Sequence, residues 1–249
     1  MTMGYHWDWG VFFNAVPSGE TTYLGWFFIG VKWTVFVSLS AWIIALVLGA
    51  ICGVFRTVPN RWLANAATVH TELFRNIPLL VQLFIWYFVI PELLPWGLGQ
   101  SVKNLHPLLQ QYLAGTICLG LFTSARICEQ TRAGIQSLSR GQQAAGLAMG
   151  LSLPQTYRYV LMPMAFRIII PPLTSEFLNI FKNSAVVSTI GLIELSRQAQ
   201  QLVDYTAQPY EAFIAVSLGY MFINVVIMVF MRWVEKMVRV PGYIGAESK

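Results

Sequence analysis

Long apolar runs separated by short clusters of charge and proline dominate this chain, and the longest of them predict membrane-spanning helices. Trp33 to Phe55 is 23 residues without a charge, and about 20 suffice to cross a bilayer core. Residues 62–91 form a second apolar region, interrupted by Glu72, Arg75 and Pro78. A straight helix of that length would be about 45 Å, longer than the ~30 Å core, so a kink is expected at Pro78 with Glu72 and Arg75 near one interface. Their i, i+3 spacing lets them pair or support a gate. After a Pro/Gly-rich loop, Pro91 to Asn104, Leu105 to Ala125 reads as a third span, which Arg126, Glu129 and Arg132 carry out of the membrane as a continuing helix. A fourth span starts near Ala165 and contains Pro171 and Pro172, and Ala212 to Met231, 20 residues free of charge, is the fifth. Residues 1–23 mix Tyr5, Trp7, Trp9, Phe12 and Phe13 with Asp8, Pro17 and Glu20, the make-up of an amphipathic segment at an interface.

Gly141 to Pro163 breaks this pattern: it is polar, helix-forming and rich in small residues. Residues 141–149 are good helix formers, and Gly150 supplies the left-handed position that ends such a helix. Ser152 and Gln155 have the spacing of a capping box, with Pro154 in the first turn of a second short helix. Two short helices bent at Gly150, with Ala144, Ala145, Gly146 and Ala148 on the first, form a knuckle that another protein can approach closely. The stretch reads as a docking loop.

Composition sets the class. The chain is 56% hydrophobic and 11% charged, against about 25% charged in soluble domains, so it is expected to be an all-α integral membrane protein. Apolar spans run from end to end, which favours one membrane domain over residues 1–249. With five spans and the N-terminus outside, segments 56–75, 126–167 and 232–249 are cytoplasmic and hold 12 of the 16 Lys and Arg. That asymmetry follows the positive-inside rule and accounts for the net charge of +5 without nucleic acid. It also puts the docking loop in the cytoplasm. No Lys or Arg precedes Lys32, so the basic region of a cleaved signal peptide is missing and the first span is expected to remain. Cys52, Cys118 and Cys128 have no paired or metal-ligand spacing and read as small hydrophobes.

Two helix faces carry further information. Ala41, Ala45, Gly49 and Gly53 form an i, i+4 stripe that lets another helix come close. In the fourth span Ser175, Glu176, Asn179, Lys182 and Asn183 fall within an arc of about 120°, opposite Leu173, Phe177, Ile180 and Phe181. An ionised group at bilayer depth costs about 2.5 to 3.5 kcal/mol on insertion scales, so Glu176 and Lys182 should face a water-filled cavity or a partner subunit. The plainer alternative has Lys182 snorkelling to the outer interface and Glu176 paired with a partner-chain cation. His6, His70 and His106 are scattered, and no G-x-x-x-x-G-K-[ST] phosphate loop is present. If ATP is used, a separate chain must bind it.

These residues resemble a known family. Gly141 to Pro163 is similar to the EAA loop of permease subunits in bacterial ABC importers, whose pattern is E-A-A, three residues, G, nine residues, I-x-L-P. Gln143, Ala144 and Ala145 are matched to E-A-A, followed by Gly150 and by Val160, Leu161, Met162 and Pro163. ELFRNIPLLVQLF (72–84), RAGIQSLSRGQ (132–142) and FKNSAVVSTIGLIEL (181–195) resemble the polar amino-acid uptake branch. Within it, WDWGVFF, TTYLGWFF, FRTVPNR and CEQTRAGIQSL resemble the first permease subunits of glutamate/aspartate importers of Gram-negative bacteria.

The resemblance implies an inner-membrane, multi-pass subunit conducting acidic amino acids. Its implied partners are a homologous second permease in a heterodimer, a cytoplasmic ATPase dimer carrying ATP and Mg, and a periplasmic amino-acid-binding protein. It implies ATPase coupling through Gln143, Ala144, Ala145, Gly150 and Pro163, and the polar stripe makes Lys182 the candidate contact for a substrate carboxylate. The alternatives are a permease for glutamine, histidine or arginine, an ion-coupled secondary transporter, an intramembrane enzyme, and an anchor with no conduction role.

Overall fold

The computed structural model describes residues 5–238, and among them every regular element is a helix or helical turn, apart from one isolated bridge between Ala15 and Thr22. A 3₁₀ turn at Trp9–Phe13 precedes α1 (Tyr23–Phe55) and α2 (Arg61–Asn76). Then come α3 (Leu79–Phe84), a π turn at Ile85–Val89, α4 (Ile90–Leu93) and α5 (Leu98–Lys103). The long α6 (Pro107–Gln136) leads into α7 (Arg140–Ala148), α8 (Leu153–Thr156), a π turn at Tyr157–Leu161 and α9 (Met162–Asn183). A 3₁₀ turn at Ser184–Ile190, α10 (Leu195–Thr206) and α11 (Pro209–Val238) complete the described chain. The end of the expected cytoplasmic segment 232–249, from Arg239 on, lies outside the described residues.

Three helical stretches are long and apolar enough to cross a membrane: Tyr23–Phe55, Leu153–Ile190 and Pro209–Val238. The pair on either side of Pro78 makes a fourth if it counts as one broken span. The expectation of five therefore finds three or four by length and composition. α6 is long enough, but Gln110, Gln111, Thr116, Thr123 and Ser124 dilute its apolar half. Phe36, Ile43 and Val47 on α1, with Phe222, Val225 and Val229 on α11, are each half exposed or more, as lipid-facing side chains are. The protein is a membrane protein.

Three local expectations are corrected. α1 begins at Tyr23, ten residues before the predicted start, and carries Lys32 within it. The chain breaks at Pro78 instead of kinking: Ile77 is extended at φ −95°, ψ 131°, the conformation that a following proline imposes. The loop expected over Pro91 to Asn104 holds α5, which starts after Gly97 at φ +76°.

The chain divides into two compact units, which among the described residues are 5–41, 79–119 and 180–226, and 42–78, 120–179 and 227–238. In the first, Gly30 lets α1 lie directly on α10: an added Cβ would stand 3.0 Å from Leu195 Cα. Tyr5 donates to Gln208 at 2.6 Å and to Glu211, whose other carboxylate oxygen accepts from the Asp8 amide, pinning the N-terminal segment to the start of α11. Burial and the neighbouring Glu211 carboxylate push the Tyr5 phenol up to about 12.

In the second unit the predicted small-residue stripe does what its spacing implies. A Cβ on Gly49 would meet Ser124 O at 2.8 Å, and one on Gly53 would meet Cys128 O at 2.9 Å, so α1 and α6 touch backbone to backbone. Ala45, Ile127, Ile169 and Leu173 form one apolar cluster beside this contact. Ile135, Leu138, Tyr157, Leu161 and Ala165 form another, against which the docking-loop stretch is built.

Candidate functional site

The docking-loop stretch folds as its local signals require. α7 ends in a Schellman motif: Leu151 N–H donates to Gly146 O at 3.2 Å, Gly150 N–H donates to Leu147 O at 3.0 Å, and Gly150 stands at φ +85°. Ser152 N–H donates to the Gln155 side-chain oxygen at 2.8 Å, the reciprocal half of a capping box that starts α8 at Pro154's turn. Gly146 faces inward, with no room for a side chain because a Cβ would lie 2.8 Å from the Thr156 methyl. Ala144, Ala145, Leu147, Ala148 and Met149 are exposed, and Met149 remains 78% so. Counted back from Gly150 with the motif's three-residue gap, the trio is Ala144, Ala145 and Gly146, one position beyond the match that began at Gln143. Pro163 lies in the first turn of α9.

Behind α7 is a cavity of about 380 Å³. Ile135, Leu138 and Leu161 give it an apolar floor, and Arg56, Gln136, Ser139 and Gln143 give it polar walls. Tyr157, also on its wall, donates to Thr57 O at 2.8 Å and ties the π turn to the end of α1.

Beside the cavity lies a charge cluster. Glu129 on α6 accepts from Arg56 at 2.6 Å and from Arg75 at 3.3 Å, and lies 3.7 Å from Arg132. The expected Glu72–Arg75 pair is present at 3.6 Å, and Arg75 extends it to Glu129. The Arg56 side chain is 8% exposed, so this carboxylate neutralises a buried cation. Sequence reading marked Glu129 only as part of a helix leaving the membrane.

On α9 the predicted greasy face is buried: Leu173, Phe177, Ile180 and Phe181 are each 6% exposed or less. The polar stripe divides. Ser175 and Lys182 are exposed, Asn179 and Asn183 half-buried, and Glu176 is buried. Glu176 turns toward α6, where Gln130 donates to it at 3.3 Å and Arg126 lies 3.8 Å away, with Asn179 beside it one turn along its own helix. The cation facing Glu176 thus comes from this chain, in place of the partner-chain cation considered from the sequence. Arg126 also lies over the Phe122 ring, 5.1 Å from its centre. It was missed as a site residue, although Phe122, Arg126 and Gln130 share an i, i+4 face that the sequence displays.

The first unit has two buried carboxylates that the sequence reading passed over, Glu211, which holds Tyr5, and Glu194. Glu194, fully buried, caps α10 by accepting from Arg197 N–H at 3.0 Å, and it accepts from Tyr220 on α11 and, at 3.5 Å, from Thr34 on α1. Burial raises its carboxyl to about 7 against the opposing effect of these donors. Its signal was an acidic residue immediately before an amphipathic run. Cys118 and Cys128 are buried as expected and Cys52 is half-buried; all three are free thiols. Of the histidines, His70 bonds Ser124 at 2.9 Å between α2 and α6.

Residues 45–240 match the family described as binding-protein-dependent transport system inner membrane component. The chain is 54% identical over 246 residues, 98% of its length and all of the relative's, to a glutamate/aspartate import permease protein of Escherichia coli (strain K12). It is 34% identical to a probable glutamine ABC transporter permease protein of Bacillus subtilis (strain 168), covering 82% of this chain and 88% of that one. Among solved structures, an amino acid ABC transporter with histidines aligns with a TM-score of 0.71 at 28% identity over 86% of this chain and 95% of its own. An inward-facing MetNI methionine ABC transporter aligns at 0.70 with 19% identity, over 87% and 98%, a likeness of fold. The chain belongs to the family of binding-protein-dependent transport system inner membrane components.

Proposed function

We propose that this chain is a permease subunit of an ATP-driven importer of the acidic amino acids glutamate and aspartate, forming half of the translocation pathway. The observation that carries this reading is the 54% identity, along nearly the whole chain, to a glutamate/aspartate import permease protein. It sits in the bacterial inner membrane as one domain of five spans: α1, the broken pair about Pro78, α6, α9 and α11. The N-terminus is outside and the docking loop inside, in keeping with the positive-inside asymmetry. Its partners are a homologous second permease, a cytoplasmic ATPase dimer that binds ATP and Mg, and a periplasmic amino-acid-binding protein.

The mechanism follows from two parts of the chain. α7 presents its exposed small side chains to the ATPase, and the Schellman turn at Gly150 with the capped α8 makes the foot rigid, so that closure of the ATPase is transmitted instead of absorbed. An acidic amino acid carries one more negative charge than a neutral one, and Coulomb attraction at low dielectric favours cations along its route. Arg126 and Lys182 are each candidate cations, Glu176 orients Arg126, and Ser175, Asn179 and Asn183 are candidate hydrogen-bonding groups on the polar face of α9.

The test is uptake of labelled glutamate, aspartate, glutamine, histidine and arginine into proteoliposomes holding this chain with its partners, with and without internal ATP. ATP-dependent uptake of the acidic pair alone is expected. ATP-dependent uptake of another amino acid would retain the docking loop's role and overturn the substrate, and uptake without ATP would overturn the coupling.

A further inference from the structure

We infer that the cavity behind α7 is a binding site for a small oxyanion, of carboxylate or phosphate type. Its volume, about 380 Å³, is in the range of small-molecule sites. Its floor is apolar, while its walls place a guanidinium, two amides and a hydroxyl around one space: Arg56, Gln136, Gln143 and Ser139. Arg56 is the charged group on that wall, and its side chain is 92% buried, being 8% exposed. A guanidinium has five N–H donors, and Glu129 accepts one of them, from Nη1 at 2.6 Å. Around Glu129 three arginines, Arg56, Arg75 and Arg132, meet two carboxylates, Glu129 and Glu72, leaving the neighbourhood net positive. Ser139 is the N-cap of α7 and does not use its hydroxyl to cap the helix, so hydroxyl and helix terminus add to the same positive end.

An anion held here would bridge the end of α1 to the start of α7. On the function proposed above, in which α7 is the docking helix, occupancy would brace it against the membrane helices. The binding itself is independent of that reading.

Hydrogen exchange resolved by peptide tests it, on the assembled transporter in nanodiscs of phosphatidylcholine, comparing sodium phosphate with sodium chloride at equal ionic strength. Residues 54–58 and 136–146 are read out, which separates this cavity from the nucleotide sites of the ATPase. At phosphate about nine times its Kd, exchange through local opening should slow about tenfold in both peptides. Gln143→Glu, which places a carboxylate on the cavity wall, should abolish the effect, and Lys182→Ala should preserve it. Glutamate in place of phosphate, and phosphatidylglycerol in the nanodisc, identify the source of the oxyanion as free metabolite or lipid headgroup. Unchanged exchange with all three, or protection that survives Gln143→Glu, overturns the site whatever the transporter carries.

Discussion

Arg126 holds its guanidinium 3.8 Å from the carboxylate of Glu176, the cation almost half exposed and the anion nearly buried. The pair therefore presents positive charge outward and keeps its negative charge among Gln130 and Asn179. Arg126→Gln should raise the KM for glutamate uptake about tenfold or more, since hydrogen bonds to charged groups contribute about 1.5–3 kcal/mol. Glu176→Gln should alter KM less, because it releases the guanidinium without removing it. Uptake by the Arg126 variant at the parental KM would take Arg126 out of the pathway.

Lys182, exposed near the C-terminal end of α9, is expected to act on the substrate alone. Lys182→Ala should raise the KM for acidic substrates by about tenfold on the same scale while leaving the thermal midpoint within a degree or two. An unchanged substrate affinity would end the case for this lysine.

Gly150 stands at φ +85°, and nothing lies within 4 Å of where its Cβ would be. Alanine there tests conformation without steric conflict and should lose about 1 kcal/mol of local stability. Proline, held near φ −65°, cannot take the turn at all. Gly150→Pro should reach the membrane normally yet lose substrate-stimulated ATP hydrolysis in the assembled transporter. Parental coupling in that variant would mean that the bend is dispensable.

Glu129→Gln strands Arg56, whose side chain is 8% exposed. Breaking a buried pair from one side costs about 3–5 kcal/mol, and because Glu129 is itself part-exposed the loss should fall toward the low end. Thermal unfolding in detergent should show a midpoint several degrees lower. Arg75→Gln, at a partner 47% exposed, should shift it little.

The Glu194 carboxyl, raised to about 7 by burial, binds its proton more tightly folded than unfolded. Below the unfolded pKa both states are protonated and Glu194 adds no pH dependence; between there and about 7 stability falls as pH rises, and above that it levels off. Melts from pH 5 to pH 8 should show this decline, and Glu194→Gln should flatten it. A decline that persists unchanged in the variant would assign the proton to another group.

Short-range signals were enough for the local fold of Gly141 to Pro163. A helix cap or a Schellman turn depends on residues within about six positions, so Gly150, Ser152, Pro154 and Gln155 were legible, as were the uncharged runs of α1 and α11. The greasy face of α9 was legible because helical periodicity is a property of the chain itself. The Pro78 break was half legible: the proline marked the place, and its restriction of Ile77 turned a kink into an interruption. What Glu176 faces was not legible, since it is met by Gln130 on α6, 46 positions away, and by Arg126 one turn earlier on that helix. Nor was the role of Glu129, which meets Arg56 across 73 positions, or that of Glu194, which meets Thr34 across 160. A buried carboxylate is stabilised by whichever donors the packed helices bring to it, and periodicity names the face on which it lies without naming what that face will meet.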